Sequence, residues 1–451
     1  MKIIIVGAGS VGEEICTQLE GEGHDITVID SNFETVDKIT NKCDVFGVVG
    51  NGADISALRK ADAGNADLLV AVTCEDEINI LCCAAAKKLG ARHTVARVRN
   101  PEYSELMTLM KSEMNLSFTI NPELAVANEI YRMLRFPFAT RIDTFCRGRV
   151  EMAEMVVSSD SALCGVTLND LRLKLNMRFL VCCVLRDGEA HIPSGYFKIE
   201  AGDVICFTVP DEDFSRFFKE IGAYKNPVRD VLIVGGGRTT YYLEALLAKR
   251  KIKSTVIERD VEKCKELAER YNCTVINDDV TNKTLLMEEG IDKKDAFVAL
   301  SDEDEENVIV SLYAKANDSN KVITMIRSDS YVELFKSVGL DTIVSPQLST
   351  ASYILKFVRS RAGASGSKIE SLYKLMDEKV EALEFCIEDE IEGITGEKLK
   401  DIRLKKGILI ACIVHGEKVV IPSGDDVINK GDTVIIVTTT GQIQEIKEIL
   451  R

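Results

Sequence analysis

The residues best suited to chemistry in this chain are a glycine-rich stretch and the acid that follows it. Gly7-Ala8-Gly9-Ser10-Val11-Gly12 comes directly after the apolar, β-branched run 3–6. In that setting the first glycine permits a tight turn and the second lets a pyrophosphate approach the backbone. The third lets the next helix lie close against the strand. The start of that helix offers free N–H groups and partial positive charge to phosphate. Asp30 stands 18 residues after Gly12, at the end of the next apolar run. It is placed to take both ribose hydroxyls of an adenosine. An acid there repels a 2′-phosphate, so NAD(H) or ATP/ADP is expected rather than NADP.

The same pattern returns 228 residues later as Gly235-Gly236-Gly237-Arg238-Thr239-Thr240, with Glu258 in the place of Asp30. It is degenerate. Thr240 replaces the third glycine, the bulky Tyr241 and Tyr242 follow, and Met325 replaces Arg97. Gly235, Gly237, Glu258, Arg259 and Ser301 form a second candidate set. It has two readings, a second nucleotide site or a repeat kept for its packing.

The elements that must position these residues alternate regularly. Strands are expected at 3–6, 26–29, 45–49, 67–72 and 94–98, with helices at 11–20 and 77–89 and a helical turn at 55–60. Short apolar runs separated by helices predict a doubly wound parallel sheet. Ligands of such sheets lie outside the carboxyl ends of the strands. That places Ser31, Asn51, Thr73, Cys74 and Arg97 beside the glycine turn. Thr73 and Cys74 can offer backbone groups and a hydroxyl, and Arg97 a charge-assisted donor to phosphate.

Repeats organise the whole chain. The 228-residue offset carries Asn79 onto Asn307 and Arg99-Asn100-Pro101-Glu102-Tyr103 onto Arg327-Ser328-Asp329-Ser330-Tyr331. Asn121-Pro122-Glu123-Leu124 matches Ser345-Pro346-Gln347-Leu348. A second unit repeats as Ile192-Pro193-Ser194-Gly195 and Ile421-Pro422-Ser423-Gly424. The order is therefore A–B–A′–B′, with domains expected at 1–135, 141–222, 229–358 and 368–451. Linkers are expected near 135–141, 222–229 and 359–368. Unit B reads as strand 151–157, helix 168–175, strand 178–185, a turn at Asp187-Gly188, strand 203–209 and a closing helix 211–221. Unit B′ is expected to repeat it, with a strand at 407–414 and its turn at His415-Gly416. The fold class is thus α/β, with two Rossmann-like doubly wound parallel sheets, each followed by a small α+β domain.

Composition narrows the function. The chain has 451 residues, too many for one core. Its net charge of −16 argues against general nucleic-acid binding. No stretch approaches the roughly 20 apolar residues of a membrane helix. Glu13 and Glu14 follow the apolar start and no small-residue cleavage site is evident, which disfavours a signal peptide. The 14 cysteines include no CxxC pair and read as reduced, buried side chains of a cytosolic protein. The acidic run 301–306 lacks the spaced oxygens and turn glycine of a calcium loop, so no metal is expected. It is expected to open a helix. His24, His93, His191 and His415 all fall away from the carboxyl ends of the unit-A strands. No tyrosine is followed four residues later by lysine. No proton donor therefore stands beside a nicotinamide, and no catalytic residue is expected.

The repeated order, GAGSVG with Asp30, VARVRNPEY at 95–103, INPE at 120–123 and the paired IPSG modules resemble the TrkA family of bacterial Trk-type potassium uptake systems. The resemblance covers essentially all 451 residues. It implies two nucleotide-binding RCK N-type (KTN) domains, each followed by an RCK C-type domain. It also implies a cytosolic regulatory subunit that gates potassium uptake in response to NAD(H) or ATP/ADP. The implied partner is a membrane-embedded TrkH-type potassium-translocating subunit, met from the cytoplasmic face by a homo-oligomeric ring, a tetramer. Two other readings stand beside it: an NAD-dependent oxidoreductase, and a regulatory subunit of another ion channel or antiporter.

Overall fold

A computed structural model of the chain describes residues 1–103, 117–136, 139–175, 177–210, 213–222, 228–328, 332–340, 342–362, 369–376, 379–439, 443 and 445–451. Parts of the three expected linkers (137–138, 223–227 and 363–368) lie outside the described residues, as do Tyr331 and the first two residues of the helix expected at 211–221.

The first sheet contains β1 (Lys2–Val6), β2 (Asp25–Asp30), β3 (Phe46–Val49), β4 (Leu68–Ala71), β5 (His93–Arg97) and β6 (Phe118–Ile120). All are parallel, in the order β3-β2-β1-β4-β5-β6. Ile3, Ile4 and Ile5 are all fully buried, which explains why β1 reads as a continuous apolar run: helices cover both faces of the sheet. The next sheet is antiparallel: β7 (Arg141–Phe145), β8 (Val150–Val156), β9 (Leu180–Arg186), β10 (Glu189–His191) and β11 (Val204–Thr208), ordered β10-β9-β11-β8-β7. Asp187 and Gly188 both have positive φ, the tight hairpin turn expected there.

The second half repeats both sheets. β12 (Asp230–Val234), β13 (Lys253–Glu258), β14 (Thr274–Asn277), β15 (Ala296–Ala299), β16 (Val322–Met325) and β17 (Ile343–Val344) run parallel in the order β14-β13-β12-β15-β16-β17. β18 (Ile369–Leu375), β19 (Val380–Cys386), β20 (Ile408–His415), β21 (Lys418–Val420) and β22 (Thr433–Thr438) form the last sheet, ordered β18-β19-β22-β20-β21. Unit B′ departs from B in two ways. Both units carry a matching bridge, Thr167–Lys198 in B and Lys398–Val427 in B′, but where B continues into the helix Leu168–Leu175, B′ continues in turns. The β20–β21 turn is Gly416-Glu417, one residue later than expected.

The chain forms two compact units, one from 1–135 and 228–355, the other from 136–227 and 356–451. In the first, the helix Pro122–Arg135 starts with proline at a position needing no N–H, and Asn121 Oδ1 accepts from Leu124 N (2.8 Å). Its apolar stripe (Val126, Ala127, Ile130, Met133 and Leu134) shares a core with the other Rossmann-like fold, on the helix Arg238–Lys249. Tyr242, which reads from sequence as too bulky for its place, is part of that joint. Asn121 Nδ2 donates to Tyr242 Oη (2.8 Å), and Tyr242 Oη donates to Arg99 O (3.1 Å).

The second unit has its own reciprocal joint. Cys146 N donates to Glu384 Oε2 (3.1 Å), and Met376 N donates to Glu154 Oε1 (3.0 Å). Cys146 and Met376 both have left-handed backbone, with φ of 51° and 50°. The core around them gathers Phe145, Cys182, Cys183 and Cys206 with Ala382, Cys412 and Ile435. All 14 cysteines are free and ten are buried, Cys82–Cys83 and Cys182–Cys183 among them. Burial pushes the Cys82 thiol up to about 12.

The helix Arg238–Lys249 also carries a buried acid. Glu244 is 3% exposed, and Ser254 Oγ donates to its Oε2 (2.8 Å). Its Oε1 has no hydrogen-bond partner. Burial raises this carboxyl from 4.5 to about 7, with the Ser254 hydrogen bond opposing. A carboxyl raised on folding makes stability fall as pH rises from about 4.5 to about 7, after which the loss is complete. Glu244→Gln keeps the shape and removes the ionisation. Denaturant unfolding at a series of pH values should find variant and wild type alike below about pH 4, and the variant more stable by about 3 kcal/mol at pH 8.

Candidate functional site

The glycine turn between β1 and the helix Ser10–Leu19 is fixed by sterics. Gly7 has φ +101°, and a Cβ on it would sit 2.9 Å from Thr73 N. A Cβ on Gly12 would lie 2.0 Å from Gly7 O. Around Gly9 there is open space, so the backbone there is accessible from the cleft. The first intrahelical bond is Glu13 N to Gly9 O (2.8 Å), which leaves the N–H groups of Ser10, Val11 and Gly12 without intrahelical partners.

Asp30 holds this turn in place. Its Oδ2 accepts from Ala8 N (2.8 Å) and its Oδ1 from Asn32 N (2.9 Å). Each oxygen keeps a second lone pair for a ribose hydroxyl. The resulting cleft is about 440 Å³. Gly7, Gly9, Asp30, Ser31, Asn51, Thr73 and Cys74 all line it, with Asn32, Thr35, Gly50, Gly52 and Ile78. Ala8 and Gly12 are buried in the turn and Ser10 is exposed at the helix start.

Three details differ from the sequence expectation. Thr73 N and Oγ1 both donate to Asn79 Oδ1 (2.8 Å each), so that N–H is already used. Asn79 is fully buried and brackets two strand ends, donating to Thr73 O (3.1 Å) and Arg97 O (3.0 Å). Asn307 repeats this on Ser301 and Met325. In the sequence Asn79 and Asn307 mark the repeat, and the available signal is an asparagine recurring at the same place among the apolar residues of two amphipathic helices. Arg97 turns away from the cleft. Its Nη2 donates to Thr73 O (2.6 Å), and the side chain lines a neighbouring cavity.

That cavity, about 470 Å³, lies between the two Rossmann-like folds. Val11 and Gly237–Thr239 bring both helix starts to it, and Arg97, Arg99, Arg238 and Glu123 supply charge. Burial raises the Glu123 carboxyl and lowers the Arg97 guanidinium. Glu123 Oε2 and Arg97 Nε are buried without hydrogen-bond partners.

The second glycine turn keeps part of the first pattern. Gly235 has φ +95°. Glu258 Oε2 accepts from Gly236 N (2.5 Å) and Oε1 from Asp260 N (2.8 Å). Thr240, in the third-glycine position, donates its Oγ1 to Gly235 O (2.5 Å). The cleft beside it is only about 170 Å³ and is lined by Gly235, Gly237, Glu258, Arg259 and Ser301. The acidic run opens the helix Asp304–Ala316, as expected. Among the described residues, no group of His, Cys, Asp and Glu has the arrangement of a metal site. No helix among them is long and apolar enough to cross a membrane.

Comparison with known proteins adds the family. The TrkA-N domain family model matches residues 3–117 and 231–346, and the TrkA-C domain model matches 152–222 and 392–451. The chain is 34% identical to the Trk system potassium uptake protein TrkA homolog 1 of Methanosarcina mazei, covering 100% of both chains. It is 33% identical to the Trk system potassium uptake protein TrkA of Vibrio alginolyticus, covering 97% of this chain and 95% of that one. Among solved structures it resembles the GsuK channel bound to NAD, with a TM-score of 0.64 and 18% identity over 97% of this chain and 77% of that one. GsuK bound to ADP gives a TM-score of 0.52 at 14% identity, covering 80% of this chain and 69% of that one. At these identities the structural likeness speaks for the fold, while the full-length relatives and the domain matches speak for descent. The chain belongs to the TrkA family of Trk-system potassium uptake proteins.

Proposed function

We propose that this chain is the nucleotide-binding regulatory subunit of a Trk-type potassium uptake system, and that NAD(H) or ATP/ADP binds in the first cleft. The observation that carries this is the Asp30 carboxylate clasping Ala8 N of the glycine turn at a 440 Å³ cleft, with Gly9 open to that cleft and the next three N–H groups, of Ser10, Val11 and Gly12, without intrahelical partners. The helix start takes the phosphates and Asp30 the ribose. Gly7, Gly9 and Gly12 allow the close approach. Ser31, Asn51, Thr73 and Cys74 shape the adenosine side. The relatives' potassium uptake names support the physiological role, and the GsuK structures with NAD and ADP support the ligand class.

The same reading divides the chain into nucleotide-binding domains 1–135 and 229–358 and small C-type domains 141–222 and 368–451. It makes the chain a binding protein rather than an enzyme, working at the cytoplasmic face of the membrane against a TrkH-type subunit, in a homo-oligomeric ring of four. Regulation then follows from linkage. A ligand can shift a gate only by the difference in its affinity for two arrangements of the protein. The cavity that joins the two folds, with unpartnered Glu123 and Arg97 atoms, is a place where such arrangements can differ in energy.

Three experiments test the cleft. Calorimetric titration with ADP and with NADH should show saturable binding that Asp30→Ala weakens by roughly 10-fold or more, as loss of charge-assisted hydrogen bonds implies. In cells, the double variant Asp30→Ala, Gly9→Asp should leave potassium uptake unresponsive to nucleotide. Uptake that still responds would mean the sensor lies elsewhere. Cys74 supplies a direct probe, because it is the one exposed cysteine of the 14. Alkylation by iodoacetamide should occur first at Cys74, and saturating ADP or NADH should slow it several-fold. Equal rates with and without nucleotide would remove the ligand from this cleft.

A further inference from the structure

The two clefts are built on the same frame but differ at their mouths. Four residues lining the first cleft are Ser31, Thr35, Cys74 and Ile78, all uncharged. The 228-residue offset carries them onto Arg259, Lys263, Asp302 and Glu306, all charged and all lining the second cleft. The substitutions fall in pairs. Arg259 Nη1 faces Glu306 Oε1 at 3.7 Å, and Lys263 Nζ faces Asp302 Oδ2 at 3.5 Å. Arg327 Nη2 adds a second cation to Asp302 Oδ1 at 2.6 Å. Arg327 corresponds to Arg99 of the first fold and keeps its bond to the strand-end carbonyl, Asp302 O in place of Cys74 O, so the bond to the Asp302 carboxylate is an addition.

Beneath these pairs the nucleotide-reading parts persist. Glu258 holds Gly236 N and Asp260 N, as Asp30 holds Ala8 N and Asn32 N. The helix start at Arg238 has the same place as Ser10. Yet Glu258 is 6% exposed, and the second cleft has about 170 Å³ against 440 Å³ for the first.

We propose that the second fold carries a latent adenine-nucleotide site held shut by an ion-pair strap, Arg259–Glu306 and Lys263–Asp302–Arg327, so that each chain binds one nucleotide. This rests on the nucleotide reading of the first cleft. The strap closes the site twice over. It occupies the space of the adenosine, and it neutralises the cations that a phosphate or ribose would otherwise meet. Removing the acidic halves frees Arg259 and Lys263 while leaving the turn and Glu258 in place.

The test is ADP stoichiometry by calorimetry on the full chain. Wild type should bind one ADP per chain and Asp302→Asn, Glu306→Gln should bind two. The same variant with Asp30→Ala should keep one. Asp302→Cys, Glu306→Ile, which borrows the residues of the first cleft, serves if the first variant melts early. Two ADP on wild type, or one on a strap variant that melts like wild type, would overturn the strap. The first cleft is judged separately. If wild type binds none and a strap variant binds one, the strap stands and the first-cleft reading falls. If neither binds, both fall.

Discussion

The structure of each Rossmann-like fold depends on one carboxylate. Asp30 gathers two backbone N–H groups, one from the glycine turn after β1 and one from the segment after β2. That clasp adds to the backbone bond from Gly7 N to Ile29 O (2.8 Å), so the start of the helix Ser10–Leu19 is tied to the end of β2 twice. Gly7 is confined as well, because its left-handed φ brings its Cα against Thr73 and Val72. Acid, turn and β4 end are therefore one mechanical object. Glu258 makes the same clasp in the second fold with one more methylene, and lies buried in doing so.

This object was legible in the sequence because its parts are set by local sterics and by a short spacing. A glycine with positive φ, a glycine under a carbonyl oxygen, and an acid at a strand end each leave a residue-type signature. Arg97 was read as a cleft residue because it ends a strand. The structure turns it into the neighbouring cavity, since the end of a strand does not say which way a long side chain leaves it. The Asn79 bracket was missed for a related reason. A buried asparagine in an apolar helix face has no spacing rule, and its meaning lies in which two strand ends it spans.

Partner choice was the other blind spot. The apolar stripe of Pro122–Arg135 shows that one face is covered, but not by what. The cover turns out to be the helix Arg238–Lys249, more than a hundred residues away. Tyr242 then changes meaning, from a misfit beside a glycine turn to the hydroxyl that joins Asn121 and Arg99. Glu154 and Glu384 show the same principle in the other unit, where each acid satisfies a left-handed backbone N–H in the opposite module. A buried acid is tolerated where it gains such a partner and is costly where it does not.

The two halves have thus diverged in ways that oppose each other. The first fold keeps glycine at position 12, uncharged side chains at Ser31, Thr35, Cys74 and Ile78, and a half-buried acid. The second accepts Thr240 by letting its hydroxyl bond Gly235 O, and carries Glu244 where the first fold has Cys16. Glu244 has a hydroxyl on one oxygen and nothing on the other, so its burial opposes ionisation without a cation to offset it. A fold selected only for tight packing would favour an apolar residue there. The helix that bears this uncompensated acid also bears Tyr242, and begins at the cavity shared with the first fold. The unpaired buried atoms of Glu123 and Arg97 therefore sit at the cavity between the two folds, and that of Glu244 on the helix that begins there, rather than in the cleft beside Asp30. That separates the proposed reader, Asp30 with its glycine turn, from the part of the structure whose polar groups are left unpaired.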